Sequence, residues 1–166
     1  MPPKPRQAEP PTPAQGGPYV QTALICEKVL RDADGVQSYI RVVDRITVSA
    51  TGEDPPAEMP PQHLDLTACI TLKAGEAVGR YAVKFRPEAP GGFERPALEV
   101  PVNFTGQGEH GNTVNVELKG LEIDLEGLWW FDVLFVDRHH KEKLMTRIPL
   151  RMMCPASLSW QGFGLV

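Results

Sequence analysis

The sequence predicts an all-β fold, an antiparallel β-sandwich of about eight strands. Through most of residues 19–153, apolar side chains recur at every second position, which is typical of strands with one buried face. Turn-forming residues interrupt this alternation roughly every 8–15 residues, the spacing expected of a sandwich or barrel. No segment keeps a convincing helical period over about ten residues. At 166 residues, the chain has the length of one domain.

The chain divides into a tail, a domain and a final apolar segment. Residues 1–18 hold seven of the 17 prolines and, apart from Met1, no aliphatic side chain larger than alanine. Because such a segment buries too little apolar surface to order itself, we expect a disordered, proline-rich tail. Its residues 2–6 could be a ligand for an aromatic groove, but a solubilising linker is the preferred interpretation. Residues 19–153 form the sandwich, and residues 154–166 are expected to fold back on it.

The first half of the domain is predicted to hold three strands, at residues 19–30, 36–48 and 63–73. A turn containing Gly35 joins the first two, and a proline-rich loop precedes the third. The third strand alternates most regularly, so its even-numbered residues from Leu64 to Leu72 are expected to face the core. In the second strand, period-two counting places four apolar residues on one face, which Asp44 interrupts: Ile40, Val42, Ile46 and Val48.

The second half is predicted to hold five strands, at residues 78–86, 98–104, 114–118, 128–136 and 143–152. Because Pro101 lacks an N–H group, its strand is expected at an edge or a bulge. Residues 118–128 contain three leucines with helical spacing, and we interpret them as an irregular connector.

The strand at residues 128–136 is apolar on both faces. One face is expected in the core and carries Trp129, Phe131, Val133 and Phe135. The opposite face carries Trp130 and is interrupted by Asp132. A strand covered on both faces lies centrally in its sheet, or beneath a loop, the tail or a partner. An exposed Trp130 would be a good binding anchor, since tryptophan is enriched at binding hot spots.

Two sets of residues resemble known sandwich proteins. Gly127, the aromatic strand after it and the turn at residues 137–140 resemble the penultimate hairpin of many bacterial immunoglobulin-like and C2-like sandwiches. Residues 23–27 (ALICE) and 40–46 (IRVVDRI) resemble an uncharacterised bacterial family of small predicted β-sandwich proteins. This resemblance covers most of residues 20–152. It implies an immunoglobulin-like or C2-like arrangement and carries over no active-site residue.

Charge and cysteine usage exclude several classes of function. The net charge of −4 gives no electrostatic drive toward nucleic acid or anionic lipid, so neither a nucleic-acid nor a membrane partner is expected. Residues 1–18 contain no apolar stretch typical of a signal peptide, and no apolar run of about 18 residues predicts a membrane-spanning helix. Cys26, Cys69 and Cys154 are too few and too widely spaced for a disulfide framework. We therefore expect buried free thiols and a cytoplasmic setting.

No catalytic or cofactor motif is present. We find no Gly-x-Ser-x-Gly, no phosphate-binding loop and no dinucleotide fingerprint, so no cofactor and no enzymatic activity are expected. His139 and His140 with Asp137 are nearest to a metal or acid–base cluster, but we interpret them as a polar hairpin tip. The alternative is an enzyme whose site is assembled around His110, His139 or His140.

The preferred function is a non-catalytic protein-interaction or assembly module, acting on a protein partner or by self-association. A second alternative is a sandwich that binds carbohydrate or a small ligand on exposed Trp130 and Trp160. Asp44 and Arg45 could form a charged recognition patch or a buried ion pair at a binding surface. The preferred interpretation is an inward Asp44 that satisfies a backbone or arginine donor, or that protects a strand edge. The candidate interaction residues are Trp130, Asp132, Trp160, Phe163, Asp44 and Arg45.

Overall fold

The computed structural model describes residues 16–49, 58–106 and 111–155, and in them the chain forms ten strands. They are β1 (Tyr19–Arg31), β2 (Gln37–Val42), β3 (Arg45–Thr47), β4 (Gln62–Lys73), β5 (Val78–Ala89), β6 (Phe93–Glu94), β7 (Leu98–Thr105), β8 (Gly111–Ile123), β9 (Gly127–Val136) and β10 (Glu142–Met153). The all-β prediction is confirmed. None of the described residues form a helix long and apolar enough to span a bilayer.

The strands are arranged in two sheets that pack as a sandwich. Sheet A has the order β2-β1-β4-β8. Sheet B has the order β3-β10-β9-β5, and β5 also pairs with β6 and β7. Every pairing is antiparallel except the short parallel ladder between β3 and β10. The strand β9 therefore lies centrally in sheet B, which is one of the arrangements that its two apolar faces predicted.

The core lies between the inner faces of the two sheets. Period-two alternation places its side chains correctly: from β4 come Leu66, Ala68, Ile70 and Leu72, and from β9 come Trp129, Phe131, Val133 and Phe135. In sheet B the rings of Phe85 and Phe131 stack with centroids 5.3 Å apart. Burial of these large apolar side chains is the main stabilising contribution to the fold.

The predicted single strand at residues 36–48 is wrong, because the chain changes sheets within it. β2 pairs with β1 in sheet A, and β3 pairs with β10 in sheet B. Arg41 adopts a φ of 50°, and the backbone oxygen of Asp44 accepts a hydrogen bond from Arg151 N in sheet B (2.9 Å). The change of sheet ends the alternation, so Ile40 and Val42 are exposed instead of sharing a buried face with Ile46 and Val48.

The predicted connector at residues 118–128 is also wrong in most of its length. β8 continues to Ile123, which is fully buried, and a register shift opposite Leu64 and Leu66 accommodates this extension. Gly120, with a φ of 60°, lies at this irregularity. Sequence alternation is broken there by the bulge, which explains why the segment did not look like a strand.

Several predicted features lie outside the described residues. They are the proline-rich tail up to residue 15, His110, Trp160, Phe163 and the predicted docking of the segment after residue 155. Gly16, which the sequence assigned to the tail, lies against the β4–β5 turn, where its oxygen accepts a hydrogen bond from Glu76 N (3.2 Å).

Candidate functional site

The most distinctive feature of the fold is a gap within sheet A. β1 and β4 pair from Tyr19 and Lys73 to Cys26 and Thr67. Both strands extend further, yet the described structure contains no pairing between residues 27–31 of β1 and residues 62–66 of β4. We call this gap, with its five residues on each side, the split.

The two strands remain extended at the split because each is held from its other side. Residues 28–31 of β1 pair with β2. Residues 62–64 of β4 pair with β8, as does Leu66 after the register shift. Two strand edges therefore face each other across the split with no strand of the described structure between them.

An open groove of about 720 Å³ lies at the split on the side of β3. Its charged lining residues are Glu27, Lys28, Arg41, Asp44, Arg45 and Asp65. Its aliphatic lining residues are Val42, Val43, Ile46, Leu64 and Leu66. A second open groove, of about 450 Å³, shares four of these residues and extends toward β8. The split is thus lined by aliphatic side chains and by charges of both signs.

Asp44 and Arg45, two of the predicted interaction residues, both line the larger groove and are exposed. Neither side chain has an ion pair or a hydrogen bond with any other described residue. The interpretation of Asp44 as an inward structural carboxylate is therefore wrong, since its side chain is exposed and its contact with the described residues is through the backbone oxygen. The chain turns outward here to change sheets, and both side chains are exposed in the groove.

The other charges in the groove are only partly engaged. Arg41 pairs with Glu27 at 3.2 Å, and both side chains are well exposed, so this pair adds little to stability. Asp65 Oδ1 accepts a hydrogen bond from Gly120 N at 2.8 Å and so supports the bulge in β8. The groove therefore combines a fixed carboxylate, an exposed ion pair and two exposed charges that pair with no other described residue.

Asp132, the third predicted interaction residue in the described chain, lies on the outer face of sheet B within a network of ion pairs. It is 3% exposed, between Arg147 (Nε to Oδ1, 2.6 Å) and Arg86 (Nη2 to Oδ2, 3.0 Å). Arg147 also pairs with Glu88 at 2.9 Å, and Arg86 with Glu94 at 3.2 Å. The carboxylate is thus enclosed by partners from its own sheet.

The network fixes the ionisation of Asp132. Burial alone raises the pKa of this carboxyl, but hydrogen bonds and charges from Arg147 and Arg86 outweigh it and leave the pKa below its ordinary value. The same hydrogen bonds raise the pKa of both guanidinium groups. Asp132 is therefore a structural anion at neutral pH, with its partners already in place.

Trp130 is half-buried on the same face. The guanidinium of Arg147 lies 5.1 Å from its ring centroid and covers it by a cation–π contact. Trp129 is fully buried on the opposite face, where its indole N–H donates to the Leu125 oxygen (2.9 Å). The two rings point to opposite faces of the strand and form no common platform for a sugar.

Cys26 and Cys69 form a contact pair on the outer face of sheet A, with their Sγ atoms 3.7 Å apart and both side chains fully buried. Burial raises the pKa of Cys69 to about 12, and the hydrogen bond with Cys26 contributes in the same direction. Cys69 is therefore a protonated, apolar packing group and not a nucleophile.

The histidine cluster is a solvated turn. His139 and His140 are exposed at the tip between β9 and β10. Asp137 Oδ1 accepts hydrogen bonds from Lys141 N (2.9 Å) and His139 N (2.8 Å), and these backbone contacts lower its pKa. In the part of the chain that the structure describes, no group of three or more His, Cys, Asp or Glu side chains could hold a metal ion. His110 lies outside that part.

These features define a two-sheet, all-β sandwich in which one sheet is opened by a split. Neither a protein-family model nor a curated protein matches the chain. Sequence reasoning named Asp44 and Arg45 as candidates, and both line the groove, but it missed the split, because both of its edges belong to strands with ordinary alternating patterns.

Proposed function

We propose that the chain is a non-catalytic protein-interaction module that binds an extended segment of a partner protein as an added strand in the split. The observation that carries the proposal is that β1 and β4 both continue for five residues past their last pair at Cys26 and Thr67. Unpaired strand edges are templates for pairing with another chain. Here two such edges face each other, so an inserted strand would be hydrogen-bonded on both sides.

The lining of the split supports a peptide ligand over a small molecule. Backbone pairing provides affinity that depends little on sequence, and side-chain pockets select alternate residues of an added strand. Val43, Ile46 and Leu64 offer aliphatic contacts on the β3 side. Asp44 and Arg45 offer one exposed charge of each sign. The expected partner segment alternates apolar and polar residues and carries both an acidic and a basic side chain.

A cytoplasmic setting, without nucleic acid or membrane as a partner, is part of this proposal. It is supported by the negative net charge and by the three free cysteines, two of them in buried contact.

Selection of random ten-residue peptides displayed on phage tests the proposal. We expect the chain to select peptides with alternating apolar residues. Replacing Arg45 by glutamate should weaken their binding about tenfold, because a favourable charge contact becomes a repulsive one. Binding is measured by fluorescence polarisation of labelled synthetic peptides at a fixed salt concentration.

The matched control is Arg138→Glu, the same charge reversal at the exposed β9–β10 turn, away from the residues that line the groove. It should leave the affinity for the selected peptides unchanged. Failure to select any peptide, or an equal loss of affinity in both variants, would exclude the split as the binding site.

A further inference from the structure

The outer edges of the two sheets differ in how well they are protected against pairing with another chain. Short strands, prolines, bulges and charges protect an edge. In the described structure, β3 and β6 of sheet B have three and two residues, and β7 contains Pro101. β8, at one edge of sheet A, has the irregularity at Gly120 and the exposed pair of Glu117 and Lys119. The other edge of sheet A is β2, which has six residues, no proline and one charge, at Arg41 next to its end.

β2 also presents aliphatic side chains to solvent on the outer face of sheet A. Ile40 and Val42 are exposed and lie opposite Lys28 and Cys26 of β1. Val36, just before the strand, is exposed as well, and period-two counting places it on the same face. Exposed apolar side chains along an unprotected edge are typical of an interaction surface.

Two copies of β2 complement each other in one register. Residues directly opposite each other in an antiparallel ladder lie on the same face, so a twofold axis between two identical strands passes through a residue position. An axis at Tyr39 places Val36 opposite Val42 of the second copy, and Ser38 opposite Ile40. The exposed aliphatic side chains of both copies then form one cluster across the axis. Moving the axis by one residue in either direction shortens the ladder.

Gln37 provides a second, independent observation. Its Oε1 atom is buried and has no hydrogen-bond partner among the described residues, which is destabilising for an acceptor. In the register centred on Tyr39, Gln37 lies opposite Arg41 of the second copy. The Arg41 side chain is exposed and pairs with Glu27, but a guanidinium has five N–H donors and can also donate to Gln37. Pairing of two copies therefore brings a donor to this acceptor.

We propose that two copies of the chain associate through β2, paired antiparallel about a twofold axis at Tyr39. The two four-stranded copies of sheet A then form one continuous sheet. This goes beyond the proposed function, because β2 pairs with the side of β1 that faces away from the split. The dimer carries two splits, so it binds a partner that has two suitable segments more tightly than a single chain does.

Sedimentation velocity of the full chain, from micromolar to submillimolar concentration, tests the proposal. Wild type is expected to become dimeric as its concentration rises. Ile40→Lys places a charge in the aliphatic cluster at the edge and should keep the chain monomeric, since edge lysines oppose strand pairing. Val78→Lys is the matched control, because Val78 is equally an exposed aliphatic residue of a strand but lies in sheet B. This variant should associate like wild type, and circular dichroism checks that both variants are folded.

Oxidative cross-linking locates the axis. In Tyr39→Cys, the introduced thiols of two copies lie opposite each other, so oxidation with copper phenanthroline should give a disulfide-linked dimer on a non-reducing gel. Val78→Cys measures cross-linking by chance collision, and wild type measures the background from the three native cysteines. Both should give much less dimer than Tyr39→Cys.

Three results would overturn the proposal. They are a wild type that stays monomeric at every concentration, equal association of Ile40→Lys and wild type, and equal cross-linking of Tyr39→Cys and Val78→Cys.

Peptide binding keeps this proposal separate from the proposed function. Ile40 lines neither groove at the split, so phage-selected peptides should bind Ile40→Lys and wild type with equal affinity. If association fails while peptide binding still depends on Arg45, only the dimer is wrong. If the dimer forms but no peptide is selected, only strand addition in the split is wrong.

Discussion

Replacing Phe131 by alanine is expected to lower the free energy of unfolding by about 3–5 kcal/mol. Phe131 is fully buried in the central strand of sheet B, and its ring stacks on Phe85 at 5.3 Å. The substitution removes this contact and leaves a cavity that the flanking strands β5 and β10 cannot close. Urea denaturation followed by far-ultraviolet circular dichroism measures the change.

The same substitution at Phe93 is the matched control. Phe93 lies in the short strand β6 and is 65% exposed, so Phe93→Ala should change stability by less than about 0.5 kcal/mol. Comparable losses in the two variants would contradict the assignment of the inner face of β9 as the core.

Replacing Asp132 by alanine is expected to cost about 3 kcal/mol at pH 7. The variant leaves Arg86 and Arg147 side by side on the outer face of sheet B without the carboxylate that joins them. Both arginine side chains keep some access to water. The loss of unfolding free energy should therefore lie at the lower end of the range of about 3–5 kcal/mol that is typical of a broken buried ion pair. Glu142→Gln, which breaks an exposed pair with Lys84, is the control and should have a much smaller effect.

The difference between wild type and Asp132→Ala should also depend on pH. The pKa of Asp132 is lower in the folded protein than its ordinary value, so its stabilising contribution is complete above the unfolded pKa of about 3.9. The contribution is lost as the pH falls from about 4 through the folded pKa. Urea denaturation at pH 7 and at pH 2–3 should show the two proteins converging in acid. A constant difference at both pH values would mean that the ionised network is not what the substitution removes.

Sequence periodicity predicted the part of the fold that depends on the alternation of side chains between the two faces of a strand. Alternation identified the buried faces of β4 and β9, because a strand that keeps its sheet keeps its two faces. It also indicated that both faces of β9 are covered, since the second face carries apolar residues such as Trp130 and Val136, and a central position was one of the arrangements that this allowed. These features follow from neighbouring residues alone.

The errors arise where the backbone departs from this rule. Ile40 and Ile46 have the same parity, but the positive φ at Arg41 and the change of sheet before β3 separate their faces. The bulge at Gly120 hides the end of β8 in the same way. Residues far apart in the sequence settle both cases, as when Arg151 binds the backbone of Asp44.

The candidate site was only partly predictable for a related reason. The sequence marked Asp132 as an ion on an apolar face but did not show that Arg86 and Arg147 enclose it. On the outer face of sheet B, the charge of Asp132 is paired and Arg147 covers the ring of Trp130. This face therefore presents fewer unpaired groups to a partner than the sequence indicated. The split, in contrast, is defined by the lack of pairing between the ends of β1 and β4. Both strands have ordinary alternating patterns, and alternation within a strand does not show which neighbour it pairs with.

The most direct test of strand addition in the split is the amide chemical-shift map of the isotope-labelled full chain with a phage-selected peptide. Strand addition predicts the largest shifts at residues 27–31 and 62–66, together with nuclear Overhauser effects between peptide and protein backbones. Shifts centred instead on the outer face of sheet B, around Trp130 and Arg147, would contradict it.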